Sequence, residues 1–431
     1  MATSTLTRLL SPLLILLPLA LRDYLPLRHR PEDSGAGELH PIILVPGFGC
    51  TDLEARLTDA YHPSMPHCGM LKGKGWFGLW TNVSDLVAKD YVECFVEQAR
   101  LVYDPAINDY RNLPGVETRV LNFGSTSGIH DKNIHDQKGC FDSAREALER
   151  IGYIDGETLF GAPYDFRYAP PVPGQTSQVY SLYFKELMGL FEMASEKNQH
   201  KKVILFAHSY GGMVALEFVR NTPLAWRERY IKHLVMAAPA LPSGFVQQLK
   251  NLVYPPSDMI YIPATLPSFR RWWRSLETSI IDLPSPKVFG HKPIVITKQK
   301  NYSAYDIEEF FVAIGFSDGI EPFRRRAVPK MRYFEAPMVP MTCINGVGVR
   351  TPQQLVYWEG DYDVAPELVY GDGDGSVNLI SMLAFDREMR RQPGQKFKSI
   401  KVQNAEHCAL ILEEWALKRV IDEILEANRV S

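Results

Sequence analysis

The apolar pattern changes from that of a strand to that of a helix within residues 201–219. Residues 203–207 form a continuous apolar run, typical of a strand buried on both faces of a parallel sheet. Residues 213–219 instead carry apolar side chains at helical spacing. The residues between them read His-Ser-Tyr-Gly-Gly. The pattern therefore predicts a strand, a tight turn that holds one serine, and a helix.

A serine at such a turn is typical of a nucleophile elbow, where small neighbours permit a strained backbone. The common pattern is G-x-S-x-G, and here Ala207 stands in the first glycine position, with Gly211 in the second. Ser209 is therefore the candidate nucleophile. The alternative is a buried serine in an ordinary strand–helix turn, which the flanking strand and helix patterns disfavour.

Other apolar runs predict the remaining core of an α/β fold. A buried strand is predicted at 40–47 and further strands at 231–238, 339–345, 367–370 and 399–402. An amphipathic helix is predicted at 142–153 and further helices at 177–197 and 408–428. Periodicity fails between 239 and about 336, where proline, arginine and aromatic residues are frequent. An insertion of this size predicts a cap over the active site. Its interleaved arginine and aromatic residues suit phosphate head groups or a membrane surface, but equally an ordinary solvated surface.

The turn after the first strand is the second candidate element of the site. In hydrolases with a nucleophile elbow, a small-residue turn after an early strand supplies the other oxyanion N–H group. We assign this role to the N–H of Phe48, with that of Tyr210 as its partner. A plain strand–loop junction is the alternative.

The chain order of serine, acid and histidine predicts a catalytic triad. His407 follows a late strand and precedes the last helix, which is where the base of such a triad belongs, although a capping or core histidine is the alternative. Asp374 is the preferred acid, because it lies in a turn of small residues after a strand. Asp372 is its main competitor and Asp363 a third candidate.

Other polar residues near these motifs are interpreted as structural. They are His208, beside the nucleophile, and the Asp165–Arg167 pair, which predicts a fixed corner near the elbow. The sequence has no HExxH, paired CxxC, EF-hand or strand-linked GxGxxG motif, so neither a metal nor a cofactor is predicted.

Composition limits the class of protein. The 431 residues are 45% hydrophobic and carry a formal net charge of -3, which allows a large core and gives no indication of nucleic-acid binding. Residues 1–22 have a basic flank and a short apolar run, which predicts a secretory signal peptide or an uncleaved anchor. A disordered apolar tail is the alternative. Residues 23–37 are a polar linker.

Six cysteines follow the signal, and an even number permits disulfides in an oxidising compartment, although spacing does not fix their pairing. Asn82 and Asn301 lie in glycosylation sequons that suit the same compartment. Trp76, Phe77 and Trp80 lie between Cys68 and Cys94. These aromatic side chains either contact lipid at a membrane interface or pack into the core.

The motifs together resemble the lecithin–cholesterol acyltransferase family, which includes lysosomal phospholipase A2 and phospholipid:diacylglycerol acyltransferases. The segments that carry the resemblance are ILVPG with LEA near residue 50, RLVY, GAPYDFR, AHSYGG, YGDGDGSV and Glu406-His407. They span nearly all of the chain after the signal and are most like those of plant members. Phe166, where tryptophan is usual, and residues 237–242 depart from the family pattern, and the second departure leaves the acyl acceptor open.

The resemblance implies an α/β-hydrolase fold with a large cap and a triad of Ser209, Asp374 and His407. It also implies that a Cys68–Cys94 disulfide closes a lid, and that Cys343 either pairs with Cys408 or is free. The domains expected are a first core part at 38–238 with the lid at 51–103, a cap at 239–336, and a second core part at 337–431.

The implied activity is transfer of an acyl chain from a phospholipid donor through a Ser209 acyl-enzyme to a lipid alcohol acceptor, such as a sterol, or to water. A phospholipase A-type hydrolase, a catalytically silent lipid-binding protein and a soluble carboxylesterase are the alternatives. Peripheral contact with a membrane or lipid particle and a place in the secretory pathway, either soluble or anchored, complete the expectation.

Overall fold

The structure, a computed structural model, describes residues 39–80, 92–129, 139–255 and 267–429. The predicted signal or anchor at 1–22, the linker at 23–37 and the Asn82 sequon lie outside these residues. The described residues, from Leu39 onward, belong to one compact unit. Within the described ranges, no helix combines the length and apolar character needed to cross a bilayer.

The helices and strands follow the predicted alternation in outline. The strands are β1 (Ile42–Val45), β2 (Leu53–Leu57), β3 (Trp76–Trp80), β4 (Leu101–Asp104), β5 (Asp109–Asn112), β6 (Val116–Val120), β7 (Leu159–Gly161), β8 (Val203–His208), β9 (Ile231–Ala237), β10 (Val295–Thr297), β11 (Asn301–Tyr302), β12 (Met341–Val347), β13 (Val349–Tyr357), β14 (Glu367–Gly373) and β15 (Phe397–Gln403).

The helices between and after these strands vary from one to five turns. They are α1 (Val92–Ala99), α2 (Asp142–Arg150), α3 (Gln178–Lys197), α4 (Tyr210–Asn221), α5 (Leu224–Tyr230), α6 (Val246–Val253), α7 (Pro267–Ser275), α8 (Thr278–Ile281), α9 (Pro286–Phe289), α10 (Ile307–Ala313), α11 (Ile320–Pro322), α12 (Val328–Arg332), α13 (Leu379–Arg391), α14 (Ala409–Leu412) and α15 (Glu414–Arg429). The helix predicted at 408–428 is thus divided at Glu413.

The central sheet has six parallel strands in the order β15-β12-β9-β8-β1-β7 within the described chain. Strands β12, β8, β1 and β7 are buried on both faces. In β8, Leu205 and Ala207 pack into one apolar cluster with α3 and α4, whereas Ile204 and Phe206 pack into a second cluster with α2 and α15. Because alternate side chains enter different cores, the sequence of the strand is continuously apolar. The α/β-hydrolase fold is confirmed.

A second sheet, in the order β11-β10-β13-β14, connects the cap region to the second core part. Strand β10, from the predicted cap, pairs in parallel with β13, and β13 pairs with β14 in antiparallel fashion. This sheet therefore continues across the boundary predicted between residues 336 and 337. Asp374 directly follows the last residue of β14.

The lid region is closed by a disulfide between Cys68 and Cys94, whose Cα atoms are 5.0 Å apart. Trp80 is not a lipid contact in this structure, contrary to one of the two interpretations of the loop. Only 6% of its surface is exposed, and its ring stacks on Trp272 at 5.7 Å. Its indole Nε1–H donates to the carbonyl of Gly49 at 3.0 Å. Burial of the ring is stable here because its one polar atom is hydrogen-bonded.

Trp76 and Phe77, the other two residues predicted to contact lipid, are partly exposed. The Trp76 ring lies beneath the guanidinium groups of Arg56 and Arg119, at 5.0 and 4.3 Å from the ring centroid. Phe77 packs against the edge of the core. A role of Trp76 and Phe77 in lipid contact stays a prediction.

The remaining cysteines divide into one pair and two free thiols. Cys50 is joined to Cys140, whereas Cys343 is buried and Cys408 exposed, both unpaired. The possible Cys343–Cys408 pair is therefore not formed.

We expect thiol titration to report this pattern. Native protein should react at one thiol, that of Cys408, and protein unfolded without reductant at two, because four of the six cysteines are in disulfides. The Cys408→Ser variant is the control and should lose the native reaction. Three or more thiols in unreduced, unfolded protein would contradict the two disulfides.

Candidate active site

Ser209 lies at a strained turn between β8 and α4. Its backbone has φ 54° and ψ -127°, a region that non-glycine residues rarely adopt. The turn is held by hydrogen bonds on both sides: the Ser209 N–H donates to Ala237 O at 3.1 Å, and Ser209 O accepts from the Gly212 and Ala240 N–H groups at 2.9 and 2.8 Å. These bonds keep the side chain at the carboxyl edge of the sheet.

The glycines after Ser209 are required by close packing of the helix start. A Cβ atom on Gly211 would lie 2.3 Å from Pro46 O, and one on Gly212 would lie 2.5 Å from Pro239 Cβ. Both distances are too short for any side chain. The turn after β1 and the loop after β9 therefore pack directly against the backbone of the elbow, one on each side. By contrast, Ala207 is fully buried in β8, so the departure from glycine there is accommodated.

The three predicted triad residues are connected by hydrogen bonds. His407 Nε2 lies 2.8 Å from Ser209 Oγ, and His407 Nδ1 lies 2.9 Å from Asp374 Oδ2. The serine is thus within reach of a base, and the base is oriented by a carboxylate. The imidazole is 16% exposed, so a substrate can reach it from one side, whereas Asp374 is fully buried.

Asp374 is held by the turn that follows β14. Its Oδ1 accepts from the N–H groups of Ser376 and Val377 at 2.9 and 2.6 Å, and its main-chain carbonyl accepts from the His407 N–H at 2.8 Å. The competing acids lie elsewhere. Asp372 is exposed and accepts from the Gly348 N–H at 2.7 Å, and Asp363 pairs with Arg270. The structure thus brings Asp374 to His407.

The proposed oxyanion donors lie at the two turns beside Ser209. Tyr210 is the first residue of α4, where backbone N–H groups lack an acceptor inside the helix. Phe48 follows Gly47, whose position is close enough that an added Cβ would lie 3.2 Å from Ser209 Cβ. The role of both N–H groups stays a prediction.

Two aromatic residues that the sequence analysis did not assign to the site, Trp273 in the cap and Phe166 in the first core part, pack beside Phe48. The ring of Trp273, on α7, lies 5.3 Å from the ring of Phe48 and is 97% buried, with 3% exposed. Phe166 packs edge-on against Phe48 at 4.8 Å. These contacts link residues more than 100 positions apart, so the local pattern carried no signal for them.

The corner predicted at residues 161–167 is built on a buried ion pair. Arg167 donates two hydrogen bonds to Asp165, at 2.9 and 2.6 Å, and a third to the Ala99 carbonyl at 3.0 Å. Arg167 is 1% exposed. The pair fixes this corner beside the lid, and within the described chain it forms no hydrogen bond with Ser209, Asp374 or His407.

The described residues offer little to hold a metal. The one group close enough consists of His67, Cys68 and Cys94, and both of these cysteines are in a disulfide. Asn301 is exposed on β11, so its sequon is accessible, and glycosylation there stays a prediction.

Comparison with known proteins identifies the family of this chain. A lecithin:cholesterol acyltransferase family model matches residues 76–320. Lecithin-cholesterol acyltransferase-like 1 of Oryza sativa subsp. japonica is 42% identical over 405 residues, covering 94% of this chain and 90% of the relative. The chain belongs to the lecithin:cholesterol acyltransferase family.

More distant members of the lecithin:cholesterol acyltransferase family match along a similar length. Lysosomal phospholipase A and acyltransferase of Homo sapiens is 32% identical, covering 90% of this chain and 91% of that protein. Phosphatidylcholine-sterol acyltransferase of Mus musculus is 27% identical, covering 93% and 88%. Among solved structures, a chain of the Tle4–Tli4 complex aligns with a TM-score of 0.53 at 11% identity, covering 91% of this chain and 99% of that chain, which shows the fold alone.

Proposed function

We propose that this protein is a lipid O-acyltransferase that moves a fatty acyl chain from a glycerophospholipid, through an ester on Ser209, to an alcohol acceptor or to water. The observation that carries the proposal is the hydrogen-bonded chain from Ser209 through His407 to Asp374 at a strained elbow. The names of the relatives support a phospholipid donor.

In the first half-reaction, His407 Nε2 takes the proton of Ser209 Oγ as the oxygen attacks the ester carbonyl carbon. The carbonyl oxygen becomes an oxyanion, for which the Phe48 and Tyr210 N–H groups are the proposed donors. When the tetrahedral intermediate collapses, the ester C–O bond breaks. The lysophospholipid oxygen leaves with the proton from His407, and the acyl chain remains on Ser209.

In the second half-reaction, His407 removes a proton from an acceptor hydroxyl, whose oxygen then attacks the acyl-enzyme carbonyl. Collapse of this intermediate returns the proton to Ser209 Oγ and releases the new ester, or a free fatty acid when the acceptor is water. Asp374 stabilises the imidazolium that forms in both halves, because its carboxylate accepts from Nδ1.

Competition between acceptors depends on how well the site excludes water. The rings of Phe166 and Trp273 pack against that of Phe48, beside the turn of one proposed oxyanion donor. An aromatic cluster at this place favours a lipid alcohol over water at the acyl-enzyme. Hydrolysis is the second candidate, and the relative named as both phospholipase and acyltransferase supports it.

The two disulfides support a secretory compartment, because such bonds persist in oxidising environments. A relative named as lysosomal supports the same proposal. Peripheral contact with a membrane or lipid particle follows from the proposed substrates.

The test uses phosphatidylcholine vesicles with a labelled acyl chain, with a sterol added to one set and diacylglycerol to another. We expect label in sterol ester or triacylglycerol, with some in free fatty acid. Label in free fatty acid alone would replace acyl transfer with hydrolysis. Label retained entirely in phosphatidylcholine would overturn the proposal and favour a silent lipid-binding protein.

A further inference from the structure

His208 contacts the backbone of the proposed catalytic base. Its Nε2 lies 3.2 Å from the carbonyl oxygen of His407, and the two imidazole rings are 5.3 Å apart. His208 ends β8 directly before Ser209, so one strand end carries both the nucleophile and this contact. The sequence analysis interpreted His208 as a structural residue.

The contact completes a set of bonds that hold His407 from opposite sides. The His407 N–H donates to Asp374 O at 2.8 Å, while the His407 carbonyl faces His208 Nε2. The ring is in turn connected to Asp374 and Ser209. His407 lies in a short loop between β15 and α14, which offers little regular hydrogen bonding of its own. Removal of either backbone bond frees one side of this loop.

The surroundings of His208 fix which nitrogen carries its proton. The side chain is 4% exposed, and its ring packs edge-on against Phe141 at 6.2 Å. A carbonyl oxygen only accepts, so Nε2 must be the protonated nitrogen. Nδ1 has no hydrogen-bond partner among the described residues, which is compatible with a neutral ring that has its lone pair there. Burial lowers the pKa of His208 to about 3 and keeps the ring neutral.

A neutral ring at this place matters for the proposed reaction. His407 becomes an imidazolium in each half-reaction, and a second cation at 5.3 Å would oppose its formation. A lysine or arginine could donate to the same carbonyl but would bring that charge. Neutral imidazole therefore supplies the donor without the charge.

We propose that His208 is a positioning residue, whose Nε2–H anchors the His407 carbonyl and thereby keeps the His407 ring aligned between Ser209 and Asp374. The inference rests on the proposed function and adds a residue to that site. Misplacement of a catalytic group by about 1 Å costs roughly 100-fold in rate.

The test compares two replacements of similar size that differ in the donor. His208→Gln places an amide N–H near the position of Nε2, whereas His208→Leu has no donor. We expect His208→Leu to lower kcat roughly 10- to 100-fold with KM changed less than about twofold, and His208→Gln to stay within about threefold of wild type. His208→Asn, whose amide is too short to reach, should behave as His208→Leu does and serves if the leucine variant does not fold.

The readouts separate this inference from the proposed function. If Ser209→Ala is inactive while His208→Leu and His208→Asn keep the wild-type kcat, the positioning role is wrong and the proposed function stands. Equal losses in the glutamine, leucine and asparagine variants, in step with a lower melting temperature, would show a merely structural role. Activity retained by Ser209→Ala would remove the proposed function itself.

Discussion

Ser209→Ala is expected to abolish acyl release from phosphatidylcholine while leaving the fold intact. The oxygen that attacks the ester is lost, and loss of a triad nucleophile lowers kcat by roughly 10⁴- to 10⁶-fold. Alanine also fits the turn, because among the described residues the serine hydroxyl is hydrogen-bonded to His407 alone. Steady-state release of labelled fatty acid or ester, together with an unchanged circular dichroism spectrum, checks this expectation.

The same assay distinguishes between Asp374 and Asp372 as the acid of the triad. Asp374→Asn should lower kcat by about 10⁴-fold, because the oriented and charge-stabilised imidazole is lost. Asp372→Asn is the matched control, since Asp372 is exposed and bonds the Gly348 N–H. It should retain the wild-type rate. A full rate in Ser209→Ala, or a larger loss in Asp372→Asn than in Asp374→Asn, would contradict the assigned triad.

The second large effect concerns stability. Arg326→Met is expected to lower the free energy of unfolding by about 3–5 kcal/mol, the usual cost of breaking a buried ion pair from one side. Arg326 is fully buried and donates to Glu277 at 2.6 Å, and it lies 3.6 Å from Asp109. Two buried carboxylates would lose their cation. Urea denaturation followed by tryptophan fluorescence measures the loss.

Arg324→Met is the matched control for this prediction. Arg324 lies two residues away, is 61% exposed and pairs with Glu308 at the surface. Its replacement should cost less than about 1 kcal/mol, because exposed ion pairs contribute little. Burial already raises the pKa of Glu277 above its ordinary value. Lower pH therefore protonates the orphaned carboxyl in Arg326→Met, and the deficit against wild type should shrink as the pH falls. Equal losses in the two variants would contradict the argument.

The central sheet and the serine turn could be predicted because their signals are local. Strand β8 is buried on both faces, and α4 has small residues where backbones meet. Strand β13 was missed because proline and two glutamines interrupt its apolar pattern, and its partners are a short cap strand and β14. The sequence of residues 349–357 carries no local signal for pairing with those two strands.

Elements of the site that depend on distant partners could not be predicted in full. Asp372 and Asp374 lie on either side of the last residue of β14. Which of them meets His407 depends on how the His407 loop packs against this strand end, and tertiary packing decides that. Trp80 carried two interpretations because tryptophan suits both a membrane interface and a core. Its burial is decided by Trp272, 192 residues further along the chain.

The hydrogen bond from Trp80 to the Gly49 carbonyl has a consequence for protein engineering. Gly49 directly follows Phe48, so the base of the disulfide-closed lid and the turn of a proposed oxyanion donor share one contact. A lid transplanted from a relative is therefore not an independent module. We therefore expect that a chimera designed to change substrate preference through this loop has to keep an indole donor at position 80, because loss of this contact would disturb the turn of the proposed oxyanion donor and change the rate with every substrate.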